Sequence, residues 1–186
     1  MSKLSVVIGS TRPGRVGLPI GQWFFEQAKS HGKFDVQLVD LEERNLPLLD
    51  EPKHPRLGEY AHEHTKQWSE IVKGSDAFVF VTPEYNFSAP PALLNALDYL
   101  YYEWAYKAAG FVSYGGMSGG IRAVQMLKQP LIGMKVVGIP ESVAIQFFAQ
   151  HLDNGVFKGS EAHEQASVTL LDELARWTDA LAVLRK

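Results

Sequence analysis

The chain has 186 residues, of which 46% are hydrophobic and 21% charged, and this size and composition predict a single globular domain over residues 1–186. Its formal net charge of −3 gives no general attraction to nucleic acid or to an acidic membrane surface. Cysteine is absent, which excludes disulfides, thiolate catalysis and cysteine-ligated metals. No apolar run approaches the ~20 residues that a membrane helix needs. We therefore expect a cytoplasmic protein with no nucleic-acid or membrane partner.

Apolar segments of the kind found in buried strands alternate along the chain with segments of helical spacing. The pattern predicts strands at residues 4–8, 34–39, 76–81, 108–113 and 134–139. It predicts helices at residues 20–28, 60–72, 92–101, 121–131 and 161–184, and a long loop at the charged, proline-broken residues 41–56. Such alternation is typical of a parallel sheet covered on both faces. We therefore predict an α/β fold, a flavodoxin-like, doubly wound, five-stranded parallel sheet with helices on both faces.

The loop after the first predicted strand has residues that suit an anion. In doubly wound sheets, ligands bind outside the carboxyl ends of the strands. This loop reads GSTRPGR at residues 9–15 and runs into a helix, whose first N–H groups are unpaired. Two hydroxyls and the guanidinium groups of Arg12 and Arg15 add donors that match a phosphate, although the spacing of a P-loop or of a dinucleotide fingerprint is missing. We predict a phosphate site; a flexible loop with solvated arginines is the alternative.

The segment after the third predicted strand, TPEYNFSAPP at residues 82–91, is unusually rigid and aromatic for a turn. Pro83 fixes its own φ and donates no hydrogen bond, and we expect the backbone N–H groups of residues 84–86 to be free to face the edge of a ligand. Tyr85 and Phe87 provide rings that stack on a flat group. A hydrophobic loop packed on the sheet is the alternative. A planar-ring site beside a phosphate site predicts flavin mononucleotide, FMN.

A glycine-rich loop, SYGGMSGG at residues 113–120, follows the fourth predicted strand. Glycines allow backbone to approach a ring edge closely, which supports the flavin prediction. Residues 116–120 also read G-x-S-x-G between a strand and a helix, the nucleophile elbow of serine hydrolases. Asp153 and His163 follow Ser118 in the chain order that such a triad requires. A serine hydrolase is therefore an alternative, although it gives no role to the other two loops.

Together the three loops resemble the NADPH-dependent FMN reductase family, whose relatives include quinone, chromate and azo-dye reductases. GSTRPGR, TPEYNFSAPPALLNALDYL and SYGG occur in the family's order, and the resemblance spans roughly residues 3–140. It implies non-covalent FMN, with the phosphate at Ser10, Arg12, Arg15, Val16 and Gly17. It places the isoalloxazine ring at Pro83, Glu84, Tyr85 and Asn86, with Ser113, Tyr114, Gly115 and Gly116 beside it. Many relatives carry serine and asparagine in place of Arg15 and Gly17, so we expect a second guanidinium at the phosphate here.

The resemblance also implies an activity. NADPH, with NADH as the alternative coenzyme, would pass a hydride to flavin N5. A small acceptor such as free flavin, a quinone, an azo compound or a metal oxyanion would then take it. The protein itself would supply no catalytic side chain, because the cofactor carries the chemistry. A flavodoxin-like electron carrier, which would bind FMN without being an enzyme, is the second hypothesis.

Aromatic residues are concentrated just before the fourth predicted strand, at Tyr99, Tyr101, Tyr102, Trp104 and Tyr106. Aromatic residues are enriched at subunit interfaces. Since the resemblance implies dimers or dimers of dimers, we predict a homodimer or homotetramer that uses this cluster; an ordinary core is the alternative. Phe147, Phe148 and His151 would then line a neighbouring subunit's site. No metal site is expected, because His62 and His64 lie two residues apart on a predicted helix and would not share a face.

Overall fold

The structure is a computed structural model that describes residues 1–185. Within these residues, one sheet contains β1 (Ser2–Ile8), β2 (Phe34–Asp40), β3 (Ala77–Pro83), β4 (Ala108–Tyr114) and β5 (Val137–Ile145). The α-helices are α1 (Gly17–His31), α2 (Leu41–Arg44), α3 (Glu63–Lys73), α4 (Pro91–Asp98), α5 (Ile121–Gly133) and α6 (Glu161–Ala182). The strand order is β2-β1-β3-β4-β5, and each neighbouring pair is parallel. The predicted flavodoxin-like, doubly wound sheet is confirmed.

The two central strands explain why the sheet is covered on both faces. All seven residues of β3 and all seven of β4 are buried, and their side chains alternate between two cores. Phe78 shares one core with Trp68, and helices α3, α4 and α5 cover it. Val79 shares the other core with Phe24, and helices α1 and α6 cover it. Among the helices of residues 1–185, none combines the length and the apolar character that crossing a membrane requires.

Strand β5 differs from the prediction, because the sequence pattern fails at a proline. We predicted a strand at residues 134–139, whereas β5 runs from Val137 to Ile145. The pairing shifts from Gly138 opposite Ala109 to Ser142 opposite Phe111, so residues 139–141, with Pro140 among them, form an irregularity. β5 lies at the edge of the sheet, where a residue without an N–H is tolerated. Because β5 is longer than predicted, its carboxyl end lies beside the carboxyl end of β4, with Ile145 opposite Tyr114.

The predicted long loop at residues 41–56 contains short helical elements. The chain forms the one-turn helix α2 and a 3-10 turn at Pro55–Leu57. Asp40 caps α2, since its carboxylate accepts a hydrogen bond from the N–H of Glu42 (3.1 Å), and Leu41 is buried beneath it. A small antiparallel hairpin, β6 (Leu152–Asp153) with β7 (Val156–Phe157), also escaped prediction. Elements this short do not span enough residues to show a periodic pattern.

The aromatic cluster before β4 is largely core, and the interface prediction is wrong for its two most buried members. Tyr99 and Trp104 are fully buried. The Trp104 ring packs against Phe78, with centroids 4.9 Å apart, and against Trp68, with centroids 5.8 Å apart. Tyr102 is the cluster member that stays largely exposed, at 62%. The spacing of the aromatic residues in the sequence did not show which are core and which are surface. The reason is that the segment after α4 turns inward at a 3-10 helix rather than continuing as an α-helix.

A buried cation ties α3 to the start of β4. Lys107 is 6% exposed, and its Nζ donates to the carbonyls of Val72 (2.6 Å) and Lys73 (3.3 Å), which lie at the end of α3. A cation favours the negative end of a helix dipole. Burial nevertheless lowers the pKa of Lys107 to about 8. The charged form is therefore less stable in the folded chain than in the unfolded chain.

The titration of Lys107 predicts a pH-dependent stability. The folded pKa lies below the ordinary lysine value of 10.5. Between pH 8 and 10.5 the unfolded chain binds more protons, so stability rises with pH in that window. We expect the unfolding free energy of the unmutated protein to gain about 2 kcal/mol on that of Lys107→Met between pH 7.5 and 9.5. Urea unfolding followed by tryptophan fluorescence measures this gain, and parallel curves for the two proteins would contradict it.

Candidate functional site

The carboxyl ends of β1, β3 and β4 lie side by side where the strand order reverses, the usual place for a ligand in this fold. The loops after these strands enclose a cleft of about 180 Å³. Its lining is Arg12, Arg15, Val16, Pro83, Glu84, Tyr85, Tyr114, Gly115, Gly116 and Phe148. Except for Phe148, each of these was a predicted site residue. The other predicted residues, Ser10, Gly17, Asn86 and Ser113, belong to the same segments but do not line the cleft.

The loop after β1 packs closely on β4. Ser10 is fully buried, and its Oγ accepts a hydrogen bond from the hydroxyl of Tyr114 (3.2 Å). A Cβ at Gly17 would lie 2.2 Å from Ser10 Oγ and 2.7 Å from the Tyr114 hydroxyl, so this approach requires glycine. The N-cap of α1 is Val16, which has no side chain to cap the helix. The N–H groups of Gly17 and Leu18 are therefore left for an anion, since Pro19 has no N–H and that of Ile20 donates to the carbonyl of Val16.

One of the two predicted guanidinium groups is already engaged. Arg15 donates to both oxygens of Asp40 (2.7 and 2.5 Å) and also pairs with Glu42. Its side chain is only 8% exposed, which does not match the expected second phosphate ligand. Arg12 is exposed, and its guanidinium has no hydrogen bond or ion pair to any of residues 1–185. Asp40 was not identified from the sequence as the partner of Arg15. Its position, an acidic residue at the carboxyl end of β2, could have suggested this role.

The turn after β3 has a strained backbone. Asn86 and Phe87 have positive φ angles of 50° and 67°, and Tyr85 and Ser88 exchange two backbone hydrogen bonds across them (2.8 and 2.9 Å). Two positive φ angles at the centre are typical of a type I′ turn, where asparagine is common and a bulky ring costs energy. The expectation that the N–H of Tyr85 is free was wrong, because closing this turn uses it on the carbonyl of Ser88.

Ser118 is not arranged as a hydrolase nucleophile. Its hydroxyl donates to the carboxylate of Glu84 (3.0 Å). His163 lies in the first turn of α6 and closes the cap of that helix, while Asp153 pairs with Lys158 (2.6 Å). An activated serine needs a base within hydrogen-bond reach, and the base needs a third group to orient it. The three residues of the predicted triad have separate partners, so the geometry does not support a serine hydrolase.

Phe148 lines the cleft of its own chain, whereas we had predicted it at a neighbouring subunit's site. Its ring lies edge-on to Tyr114, with centroids 5.7 Å apart. His151, predicted beside it, instead faces His163, with centroids 4.8 Å apart. The reason is the longer β5, which delivers residues 147 and 148 to the cleft edge. A predicted strand that continued past Pro140 would have placed Phe148 near the cleft and made it a candidate site residue.

His62 and His64 lie together, contrary to the prediction from helical spacing. His62 is the N-cap of α3 and has an extended backbone, so the spacing of a helix does not apply to it. The two rings stack with centroids 5.2 Å apart, and His64 Nε2 lies 3.0 Å from an oxygen of Asp50. In the part of the chain that the structure describes, no group of three or more histidine or acidic side chains is placed to hold a metal.

Other depressions lack comparable chemistry. One of about 620 Å³ lies between Arg56, Tyr101 and Pro130, but the Arg56 guanidinium there stacks on the Tyr101 ring, 4.4 Å from its centroid. Another of about 330 Å³ lies beside Thr11 and Glu42 and adjoins the loop after β1. Neither combines an uncapped helix start with an aromatic wall. The cleft at the strand ends is therefore the candidate site.

Residues 2–150 match the family described as NADPH-dependent FMN reductase. The chain belongs to this family. An NAD(P)H-dependent FMN reductase of Schizosaccharomyces pombe is 45% identical over 126 residues, 67% of this chain but 63% of that protein, so the match spans less than two thirds of this relative. A quinone reductase of Pseudomonas putida is 32% identical over 147 residues, 75% of each chain. FerB, a flavoenzyme NAD(P)H:(acceptor) oxidoreductase from Paracoccus denitrificans, has a similar fold (TM-score 0.76, 24% identity, covering 97% and 98% of the two chains).

The chemistry of the residues around the cleft of this FMN reductase family member fits FMN. The uncapped start of α1 and the unpaired guanidinium of Arg12 suit a phosphate dianion. The cleft beside them has Tyr85, from the turn after β3, on one side and the backbone of Gly115 and Gly116 on the other. This arrangement suits a flat ring.

Arg12 and Arg15 predict different outcomes on mutation. Arg12→Ala should weaken FMN binding by roughly 1.5–3 kcal/mol, the usual contribution of a hydrogen bond to a charged group, and should leave riboflavin binding unchanged. Arg15→Ala should lower the melting temperature, because it leaves Asp40 buried without its partner. Flavin fluorescence titrations and thermal unfolding measure both effects. Equal FMN affinity for Arg12→Ala and the unmutated protein would remove Arg12 from the phosphate site.

Proposed function

We propose that the protein is an FMN-dependent oxidoreductase that uses NAD(P)H to reduce a small planar acceptor, such as a quinone, free flavin or an azo compound. The observation that carries the proposal is the convergence of an uncapped helix start, the free guanidinium of Arg12 and an aromatic cleft at one sheet edge. The names of the relatives add support, since they include reductases of FMN and of quinones.

Bound FMN would supply the hydride chemistry, and the chain's own residues would bind and orient it. Arg12 and the first N–H groups of α1 would hold the phosphate. Tyr85 and the backbone of Gly115 and Gly116 would hold the ring from two sides. Burial raises the pKa of Tyr114, so its hydroxyl stays protonated and keeps donating to Ser10 at physiological pH. Within this proposal no side chain acts as a general acid or base.

Turnover with NAD(P)H separates this enzyme from the alternative electron carrier. We propose NADPH as the preferred coenzyme, with NADH also accepted, because the matching family is described as NADPH-dependent and a relative is named as NAD(P)H-dependent. A visible spectrum of the purified protein tests for flavin. Rapid bleaching of that spectrum by NADPH, followed by return of the colour on addition of a quinone, is the result we expect. A yellow protein that NADPH does not bleach would favour the carrier.

Assembly and location are also proposals. We infer a homodimer or homotetramer in the cytoplasm. The exposed ring of Tyr102 (62%) and the exposed Leu57 (60%) and Ile132 (76%) support an interface on the side of the sheet that α3, α4 and α5 cover. Exposed aromatic and aliphatic side chains of this kind are common at the centres of such interfaces.

Two variants in the loops test the reductase against the hydrolase. Ser118→Ala should keep NADPH oxidation within about tenfold, or ~1.4 kcal/mol on a barrier, since it removes hydrogen bonds with Glu84, Gly120 and Arg122 but no group that takes part in the reaction. Tyr85→Ala should weaken FMN binding without abolishing it and should change turnover and acceptor preference, because the ring at the cleft is lost. Steady-state NADPH oxidation with a quinone, with FMN content measured alongside, gives both results. An inactive Ser118→Ala beside an unchanged Tyr85→Ala would overturn the reductase proposal.

The exposed tyrosine tests the interface. Tyr102→Glu should weaken the oligomer, because it forces a charge into an apolar contact, while the fold of one chain should tolerate it. Trp104→Glu is unsuitable, since that residue is core. Val156→Glu, at a site 58% exposed on the small hairpin, is the matched control and should leave the oligomer unchanged. Light scattering measures the mass, and a monomer in the unmutated protein would refute the proposed assembly.

A further inference from the structure

The carboxylate of Glu84 is more heavily engaged than its place in a loop requires. Its side chain is 7% exposed, although the residue directly follows β3 at the mouth of the cleft. It accepts hydrogen bonds from the Ser118 hydroxyl (3.0 Å), from the backbone N–H of Arg122 (3.2 Å) and from Arg122 Nε (2.6 Å), and Arg122 Nη2 lies 2.5 Å away. All these donors belong to the segment after β4. The Glu84 side chain thus joins the loops after β3 and β4. These two loops form the side of the cleft where the flavin ring is proposed to bind, called here the ring side of the cleft.

Glu84 also supplies the cap that α5 lacks. The N-cap of α5 is Gly120, which has φ +83° and no side chain to offer. A Cβ there would lie 2.8 Å from the backbone nitrogen of Tyr114, so no capping residue fits at that position. The carboxylate of Glu84 accepts from the second residue of the helix instead, and a negative charge at this end suits the helix dipole. The start of α5 therefore depends on a residue of another loop.

Arg122 holds the other side of the same turn. Its guanidinium lies over the ring of Phe87, 3.9 Å from the ring centroid, while it pairs with Glu84 at the base of the turn. Phe87 is one of the two strained residues of that turn. Contact between a guanidinium and an aromatic face is favourable and helps to offset the cost of the positive φ. Tyr85, which lines the cleft, lies between these two anchored positions.

We propose that Glu84 and Arg122 are positioning residues, which set the gap between the loops after β3 and β4 and so hold the flavin ring. This inference rests on the proposed FMN function. The positive charge of Arg122 and the negative charge of Glu84 also compensate each other beside the cleft. Burial raises the pKa of the Glu84 carboxyl, but the hydrogen bonds from Arg122 and Ser118 outweigh burial and lower it, so the carboxylate stays charged opposite its partner. Removing either member leaves one uncompensated charge near the ring.

Substituting Glu84 or Arg122 should change flavin affinity in the same direction. The two substitutions should change the preference for reduced over oxidised FMN in opposite directions. Glu84→Gln and Arg122→Gln should each weaken riboflavin and FMN binding by a similar factor, about tenfold, because both loosen the loops. Reduced flavin carries negative charge. Glu84→Gln should therefore favour reduced over oxidised FMN, and Arg122→Gln should do the reverse. A tenfold change in that preference is about 30 mV for a two-electron couple.

The double variant Glu84→Gln/Arg122→Gln separates the two effects. It should return the redox preference to that of the unmutated protein, since the charges balance again, but it should keep the weaker riboflavin affinity. Arg122→Lys keeps the charge without the fork and the stack, so it should lose affinity with little change in redox preference. Glu173→Gln, which breaks the surface pair with Arg176 on α6, is the matched control and should change neither quantity.

The experiment measures riboflavin and FMN affinity by fluorescence and the reduction potential of bound FMN for each folded variant. The expected pattern supports the proposal. Shifts of the potential in the same direction for both single variants would overturn it, as would riboflavin affinity within twofold of the unmutated protein. If the unmutated protein binds no FMN, the proposed function fails first and this inference fails with it. Arg12→Ala distinguishes the sites, because it should affect FMN and spare riboflavin.

Discussion

Burial of β3 and β4 on both faces is the constraint on which the rest of the structure depends. Every residue of these strands is packed between two layers of helices, so only Pro83 and Tyr114, at the ends of the strands, reach the cleft, and the other side chains have no access to a ligand. Chemistry is left to the segments beyond the strand ends. Because the strands are parallel, the ends of β1, β3 and β4 meet at one edge, and the reversal of strand order opens a cleft there. The position of the site follows from packing before any functional residue is considered.

Two of the three arginines at that edge are held in ion pairs within residues 1–185, and the third, Arg12, is exposed. Asp40 takes Arg15, and Glu84 takes Arg122, each through at least two donor contacts. In each pair at least one side chain is buried, so removing its partner would leave a charge without water. Arg12 is exposed and stays free to meet a ligand. Two arginines therefore shape the loops, and the third gives the edge its attraction for a phosphate.

Much of this could be predicted from the sequence, because the signals were local. The buried strands, the helix spacing and the residues of the three loops are each visible in a short window, and the fold and the family followed from them. What failed was non-local. The partner of Arg15 lies 25 residues away, and the cap of α5 comes from 38 residues earlier. Burial of Trp104 depends on rings from two other segments, and the place of Phe148 depends on how an edge strand accommodates Pro140.

Two phenylalanines with strained backbone lie in the loops beside the cleft and are held by contacts between those loops. Phe87 and Phe147 both have positive φ, a conformation that costs a bulky residue energy unless its surroundings enforce it. The ring of Phe87 is covered by Arg122, and the N–H of Phe147 donates to the carbonyl of Gly116 (3.0 Å). Both restraints come from the segment after β4. Loosening that segment would therefore remove a restraint from the turn after β3 and from the chain after β5 together, so the positions of the three loops are linked.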